Sequence, residues 1–156
     1  MLVSARSLVT PRRFDIAVKW RYFRHLLTGG DADSERVYKW HLQARKAANA
    51  KVNLGMDGKA NTDQYVEDSR NLLVSMAING FNPEYPIPID PDGELLGGAH
   101  RLACALALGI DAVPVERREQ KVWAPAWDMN HFYHNDASAE DMQRIATDWK
   151  QIANAS

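Results

Sequence analysis

The sequence predicts an α+β fold in which a small mixed sheet packs against helices, and three observations support this prediction. Apolar residues recur at helical spacing in five segments. Two short stretches, PIPI and AVPV, interrupt these segments as candidate strands. With 156 residues, 46% hydrophobic residues and one cysteine, the chain can bury a core in one domain without a disulfide.

The domain boundaries follow from these segments. We treat 1–156 as a single domain that consists of three parts. A helical N-terminal extension covers 1–50, the core of sheet and helices covers 62–118, and an aromatic segment with a C-terminal helix covers 119–156. The stretch KVNLGMDGKAN between the first two parts has the glycine and asparagine residues of a loop.

The first three helices have ordinary start and stop residues. The first covers about 12–27, follows Pro11, which suits a first turn, and stops at two glycines. The second covers about 34–49, after the capping stretch DADSE. The third begins at Thr62, and Gly80 in the NGF stretch suits the left-handed position that follows a helix.

The second half of the chain alternates strands with helices. YPIPIDPDGELLGG predicts two short strands around a turn at 91–93, and its prolines place the first strand at an edge. An apolar helix over 99–108 follows, and then the strand DAVPVERR, in which Pro114 limits pairing. The aromatic stretch WAPAWDMNHFYHND is interpreted as irregular, and Ser138 caps the last helix.

The charge is uneven along the chain, although the net charge is only −1. Residues 1–30 carry six Lys and Arg residues against Asp15 alone, which makes this end basic. The basic end favours a nucleic-acid partner, whereas the net charge argues against one. No apolar run reaches the length of a signal-peptide core or a membrane span, so we expect a soluble, cytoplasmic protein without a membrane partner.

Two adjacent basic residues, His100 and Arg101, follow Gly97 and Gly98 at the start of the helix predicted over 99–108. Cations are disfavoured at a helix N-terminus by about 0.3–1 kcal/mol, whereas an anion is stabilised there. Arg101 offers two hydrogen bonds to a phosphate and His100 offers one more. The pattern therefore predicts a phosphate site, and the alternative is an exposed Arg101 beside a His100 that bonds a neighbouring carbonyl.

Residues 71–115 resemble the core of the ParB/sulfiredoxin-like fold. The shared order is a helix with a serine inside it, NGF, a PIPI strand, the DGELLGGAHR turn, an apolar helix and a VPV strand. In sulfiredoxins and in ParB-like free serine kinases, the corresponding turn holds nucleotide phosphates. The resemblance implies nucleotide contacts from the turn and from the preceding helix, at Gly97, Gly98, Ala99, His100, Arg101, Asn71 and Ser75.

Two branches of this superfamily fit the sequence poorly. Sulfiredoxins have a catalytic cysteine where this chain has Ala99, and Cys104 lies too far along the helix to replace it. ParB partitioning proteins have an arginine-rich box at this turn and a helix-turn-helix domain after it, whereas about forty residues follow VPV here. The kinase-like branch is the closest, and the N-terminal helices resemble small stand-alone proteins that accompany bacterial surface-polysaccharide synthesis.

Phosphoryl transfer needs positioned phosphates, charge neutralisation and a base for the incoming hydroxyl. Asp15 and Lys19 are four residues apart on one helix face, where they can orient a hydroxyl or bind a γ-phosphate. The alternative is an exposed ion pair. Asp68 shares a face with Asn71 and Ser75 and is the candidate Mg²⁺ ligand, or it lies on the solvated back of its helix.

Other histidines and aromatic residues give weaker signals. His41 follows Trp40 and is interpreted as a packed residue. His131 and His134 lie three apart, but the sequence supplies no motif with further zinc ligands. Four aromatic residues either line a base or sugar pocket or pack in a core or lid: Trp123, Trp127, Phe132 and Tyr133.

These observations lead to a functional hypothesis with two alternatives. The leading one is a nucleotide-dependent phosphotransferase of kinase type. It takes ATP or ADP with Mg²⁺ and acts on a small hydroxylated substrate, with a sugar or glycan intermediate among the candidates. His100, Arg101, Asp15 and Lys19 are the proposed catalytic residues. The alternatives are a ParB-like nuclease or DNA-binding protein, and a nucleotide-binding module without catalysis.

Overall fold

The computed structural model describes residues 1–51, 62–122 and 127–153. Within these ranges the chain forms six α-helices, three strands and one 3₁₀ turn, which confirms the α+β class. Most of the loop predicted between the second and third helices, and Trp123, lie outside the described residues. The elements are β1 Leu2–Ser4, α1 Asp15–Thr28, α2 Asp33–Lys51, α3 Thr62–Asn79, β2 Ile87–Ile89, α4 Ala99–Ala107, β3 Ala112–Arg117, α5 Met129–His134 and α6 Ala139–Ile152, with the 3₁₀ turn at Ala5–Leu8.

The mixed sheet has the order β1-β3-β2. β1 is antiparallel to β3, with Leu2 opposite Pro114, and β2 is parallel to β3, with Ile87 opposite Val115. Pro114 limits the pairing of β3 on one side only, and β3 is nevertheless the central strand. The Val115 amide donates to the Met1 carbonyl on the β1 side. Successive amides point to opposite edges, so the Pro114 nitrogen faces the other side, where β2 begins only opposite Val115.

The turn before α4 differs from the predicted pair of strands. The turn over 91–93 is confirmed: the Asp90 carbonyl accepts from the Gly93 amide, and the Asp90 carboxylate accepts from the Asp92 and Glu94 amides. The second strand is absent in the described residues, where a single bridge joins Leu95 to Ile89. Asp90 therefore holds this turn by local hydrogen bonds instead of a strand ladder.

The helices begin and end close to the predicted bounds, with one exception. Gly80 and Gly109 both have positive φ at the ends of α3 and α4, and the Ser138 hydroxyl accepts from the Asp141 amide at the start of α6. The prediction of an irregular aromatic stretch is wrong for its second half, which contains α5. The Asp128 carboxylate caps that helix by accepting from the His131 amide.

The predicted N-terminal extension lies at the centre of the domain. α1 packs on α4, α2 and α6, and β1 completes the sheet. Since neighbours surround α1, its positions from Asp15 to Trp20 are all buried, including charged ones. Cys104 is buried in α4 and is unpaired, as expected of a structural thiol. The largest fully buried apolar and aromatic side chains are Ile16, Tyr22, Phe23, Tyr38, Ile87, Ile89, Leu102, Val113 and Phe132.

The turn that begins α4 requires glycine at one of its two glycine positions. Gly98 has φ +78°, and a Cβ there would lie 3.1 Å from Nη2 of Arg101 and 3.4 Å from the Ile87 side chain. A Cβ at Gly97 would meet only Pro88, at an ordinary 3.6 Å. Gly98 thus lets the chain turn into α4 while Arg101 packs directly against it.

We expect Gly98→Ala to lower the free energy of unfolding by roughly 1–2 kcal/mol, because alanine is strained at positive φ. Gly97→Ala is the matched control and is expected to change it by less than about 0.5 kcal/mol. Urea denaturation of both variants measures the difference. Equal losses in the two variants would contradict a specific requirement at Gly98.

Candidate functional site

Asp15 and Lys19 form an ion pair in the interior of the domain. Both side chains have an exposed fraction of zero, and Lys19 Nζ donates to the Asp15 carboxylate over 2.5 Å. Arg13 donates to both oxygens of the same carboxylate, with two N–O distances of 2.9 Å. The alternative of an exposed pair is therefore wrong, because the neighbouring helices cover this face of α1.

The electrostatics of this triad are asymmetric. Burial alone would raise the pKa of Asp15, but Arg13 and Lys19 outweigh it and hold that pKa well below its ordinary value. Burial lowers the pKa of Lys19 to about 7, and Asp15 compensates only in part because Arg13 and Arg45 oppose its effect. Asp15 is thus ionised, and Lys19 exchanges its proton near neutral pH, as a general base requires.

Two histidines lie beside the triad. The ring centroids of His41 on α2 and His131 on α5 are 5.6 Å apart, and Trp127 packs edge-on against both rings. Burial and the nearby Lys19 hold the pKa of His41 well below its ordinary value. Within the described residues, both ring nitrogens of His41 and Nε2 of His131 are buried without a hydrogen-bond partner.

One face of α2 continues this polar region toward α3 and α4. Tyr38, His41 and Arg45 follow one another at spacings of three and four residues, so they share a face. The Tyr38 hydroxyl lies 2.9 Å from Ser69 Oγ and 2.8 Å from His100 Nε2. α2 therefore connects the triad on α1 with the histidine that begins α4.

His100 is held between two tyrosines. Tyr65 stacks on its ring with centroids 5.8 Å apart, and Tyr38 approaches the ring edge-on. Arg45 in turn donates to the Tyr65 hydroxyl over 2.9 Å. These contacts join helices α2 to α5, and the charges of Asp15 and Lys19 on α1 act on His41. We call the whole set of side chains the polar interior: Arg13, Asp15, Lys19, Tyr38, His41, Arg45, Tyr65, Ser69, His100 and His131.

Arg101 lies on a different side of α4 from His100. It donates to the Tyr85 carbonyl and lies over the Phe81 ring, 5.7 Å from the centroid. It lines a cavity of about 650 Å³, which we call the Arg101 cavity. Successive helical residues are roughly 100° apart, so His100 and Arg101 diverge instead of converging on one point. Other lining residues are Leu72, Ser75, Met76, Phe81, Tyr85, Pro86, Pro88, Glu116 and Arg118.

The remaining predicted residues lie outside the polar interior. Ser75 is exposed at the Arg101 cavity, and Asn71 is exposed on the same helix. Asp68 is half-buried and accepts from Gln64 over 2.9 Å. Gly97 and Ala99 flank the N-cap Gly98 of α4, whose first turn contains no acidic residue. The described part of the chain contains no group of three or more potential metal ligands, so Asp68 belongs to no such group there.

Carboxylates of the fold bind three of the six cations in the basic N-terminal segment. Arg21 bonds to Asp148 and to Asp31, at 2.5 and 2.7 Å. Arg13 and Lys19 are bound to Asp15 in the interior. These three cations are held by carboxylates, whereas Arg6, Arg12 and Arg24 are exposed, so the alternative of a nucleic-acid partner stays a prediction.

The sequence analysis names five members of the polar interior, among them His131 in its pair with His134, and misses the others. Asp15, Lys19 and His100 were singled out as site residues, and His41 as a packed one. The polar face of α2 could have indicated a further member, because Arg45 follows His41 by one helical turn. Tyr65 and Ser69, also one turn apart, carry no such signal because either residue is ordinary in a helix.

The two partners of the buried pair are expected to differ in their effect on stability. Asp15→Asn leaves Arg13 and Lys19 buried without a counter-ion and should cost roughly 3–5 kcal/mol. Lys19→Met leaves the bidentate Arg13–Asp15 pair intact and removes a desolvated amine, so it should cost less than about 1 kcal/mol. Urea denaturation at neutral pH compares them, and equal losses would contradict the asymmetry.

The buried His41 should make the protein sensitive to mild acid. The unfolded chain binds a proton at His41 near pH 6.5, whereas the folded chain keeps the ring neutral to much lower pH because burial depresses the pKa. Unfolding thus takes up a proton below about pH 6.5, and the free energy of unfolding falls with falling pH. Urea denaturation between about pH 7 and 5 measures this dependence. The free energy of unfolding should change less with pH in His41→Phe than in the wild type, and as much as in the wild type in His134→Phe, an exposed control.

Comparison of the chain with protein-family models, with curated proteins and with solved structures finds no match in any of the three. Among the described residues, no helix has the length and apolarity needed to cross a membrane. The structure confirms the α+β class, whereas the resemblance of residues 71–115 to the ParB/sulfiredoxin-like fold stays a prediction.

Proposed function

We propose that the protein is a nucleotide-dependent phosphotransferase that acts on a small hydroxylated substrate. The observation that carries the proposal is the buried Asp15–Lys19 pair, in which a lysine with a pKa of about 7 lies beside Arg13, Arg45 and His41. Asp15 is the only carboxylate in hydrogen-bond contact with Arg13 and Lys19 among the described residues, so positive charge exceeds negative charge in this group when Lys19 is protonated. An interior of this kind is suited to an anionic group such as a phosphoryl group.

The first turn of α4 and the Arg101 cavity fit the remainder of a nucleotide. The volume of about 650 Å³ lies in the usual range for small-molecule sites. Phe81 and Tyr85 offer ring faces for a base, and Arg101 offers a cation for phosphate. Gly97, Gly98 and Ala99 would supply backbone close to the phosphates. A bound nucleotide supplies the phosphoryl group that is transferred, with Mg²⁺ on its phosphates.

The protein's own side chains would then have separate roles in the phosphoryl transfer. Lys19 in its neutral form accepts the proton of the incoming hydroxyl at Nζ, and Asp15 fixes the position of that nitrogen. Tyr38 and Tyr65 hold the ring of His100, so that it faces the transferred group without rotating. The enclosure of these groups by α1 to α5 excludes bulk water, which limits hydrolysis of the donor.

Measurements of nucleotide binding and of phosphoryl transfer test the two parts of this proposal separately. Calorimetry with ATP, ADP, CTP and GTP in the presence of Mg²⁺ should show saturable binding, weakened at least tenfold in Arg101→Gln. Arg118→Gln is the matched control, because Arg118 lines the same cavity but pairs with Glu116. Lys19→Met should retain nucleotide affinity and lose at least about 100-fold in transfer rate, the usual contribution of a general base.

Three outcomes would decide against parts of the proposal. The absence of binding by all four nucleotides would reject a nucleotide site. Binding that survives in Arg101→Gln would reject the Arg101 cavity as its place. Binding without transfer to any hydroxylated acceptor, assayed by ³¹P NMR, would favour the alternative of a non-catalytic nucleotide-binding module.

A further inference from the structure

The histidine pair of the polar interior has hydrogen-bonding capacity that the described protein atoms do not meet. His41 has an exposed fraction of zero and His131 of 9%. Three of their four ring nitrogens are buried without a partner among the described residues: Nδ1 and Nε2 of His41 and Nε2 of His131. Buried polar atoms are nearly always hydrogen-bonded, so this concentration indicates partners from outside the chain.

The protonation state of the two rings determines which partners fit. Burial lowers the pKa of both histidines, and for His131 it outweighs the opposing effects of Asp15 and Asp128. A neutral imidazole presents one donor and one acceptor. Hydroxyl groups also donate and accept, whereas ionised carboxylates and fully ionised phosphate groups only accept. The complement of two neutral rings is therefore a set of hydroxyl groups and not an anion.

The surroundings of the pair agree with a hydroxylated carbon skeleton. The ring of Trp127 lies 4.7 Å from His131 and 6.1 Å from His41, centroid to centroid, and Phe132 packs against both histidines. These aromatic walls suit the C–H groups of a polyol. Lys19 is close enough to both rings to lower their pKa values, so its charged group lies near both histidines.

We propose that the acceptor is a neutral polyol whose hydroxyl groups bind His41 and His131 and present one further hydroxyl to Lys19. This inference rests on the proposed phosphotransferase function. The hydroxyl oxygen forms a new bond to phosphorus and its proton passes to Nζ of neutral Lys19. The P–O bond of the donor breaks, so that the nucleotide leaves with one phosphate fewer. His41 and His131 select the acceptor, and Lys19 takes its proton.

NMR of the histidine rings tests the binding site directly and without nucleotide. Titration with myo-inositol and with glucose should shift the ring signals of His41 and His131 saturably and leave those of exposed His134 unchanged. His131→Phe should weaken polyol binding at least tenfold, and His134→Phe on the same helix should not. Urea denaturation of each variant confirms that it is folded, and His131→Gln serves if the phenylalanine variant is not.

The outcomes separate this inference from the function on which it rests. Shifts with inorganic phosphate but not with either polyol would overturn it, because the pair would then bind an anion. If no probe shifts the ring signals at tens of millimolar concentration, the inference is also overturned. The partners of the three ring nitrogens are then ordered water molecules. Saturable polyol binding together with absent nucleotide binding would retain the polyol site while the phosphotransferase function fails. Its role as acceptor site would then be rejected.

Discussion

The structure depends on one carboxylate at the start of α1. Asp15 holds Arg13 and Lys19 in an interior from which water is excluded, and without it two cations would be buried among aromatic rings. The arrangement constrains the fold because α2, α4 and α6 must enclose α1 for the pair to be buried at all. Buried ion pairs seldom add net stability, since desolvation offsets their attraction. A chemical role of Lys19 therefore explains the buried Asp15–Lys19 pair better than a contribution to the free energy of folding does.

Around that pair, the polar interior consists of side chains that share a face of their helix because they are three or four residues apart. Tyr38, His41 and Arg45 follow one face of α2, and Tyr65 and Ser69 follow one face of α3. Each side chain is fixed by a neighbour: the Tyr38 hydroxyl by Ser69 and His100, and the Tyr65 hydroxyl by Arg45. Among the described residues, the histidine pair departs from this pattern with three ring nitrogens that have no partner, so it is the place proposed here for a bound molecule.

Helical periodicity located α1 to α4 and α6, because apolar side chains repeat over several turns in each. It could not locate β1, which has three residues, or α5, which has six and depends on the cap at Asp128. The spacing of Asp15 and Lys19 identified the pair, but its burial depends on elements distant in sequence. The convergence expected of His100 and Arg101 failed for a local reason, since adjacent helical side chains point in different directions.

Because His100 and Arg101 diverge, the first turn of α4 lies between the polar interior and the Arg101 cavity. His100 is anchored to tyrosines in the polar interior, and Arg101 is anchored to the Tyr85 carbonyl in the Arg101 cavity, one residue further along a rigid helix. A displacement of this turn moves both side chains together. A molecule that displaces this turn from one side would therefore also displace the side chain on the other side, and by linkage such a coupling has the same size in both directions. The polar interior and the Arg101 cavity, on different sides of α4, would in this way respond to each other through a single peptide unit.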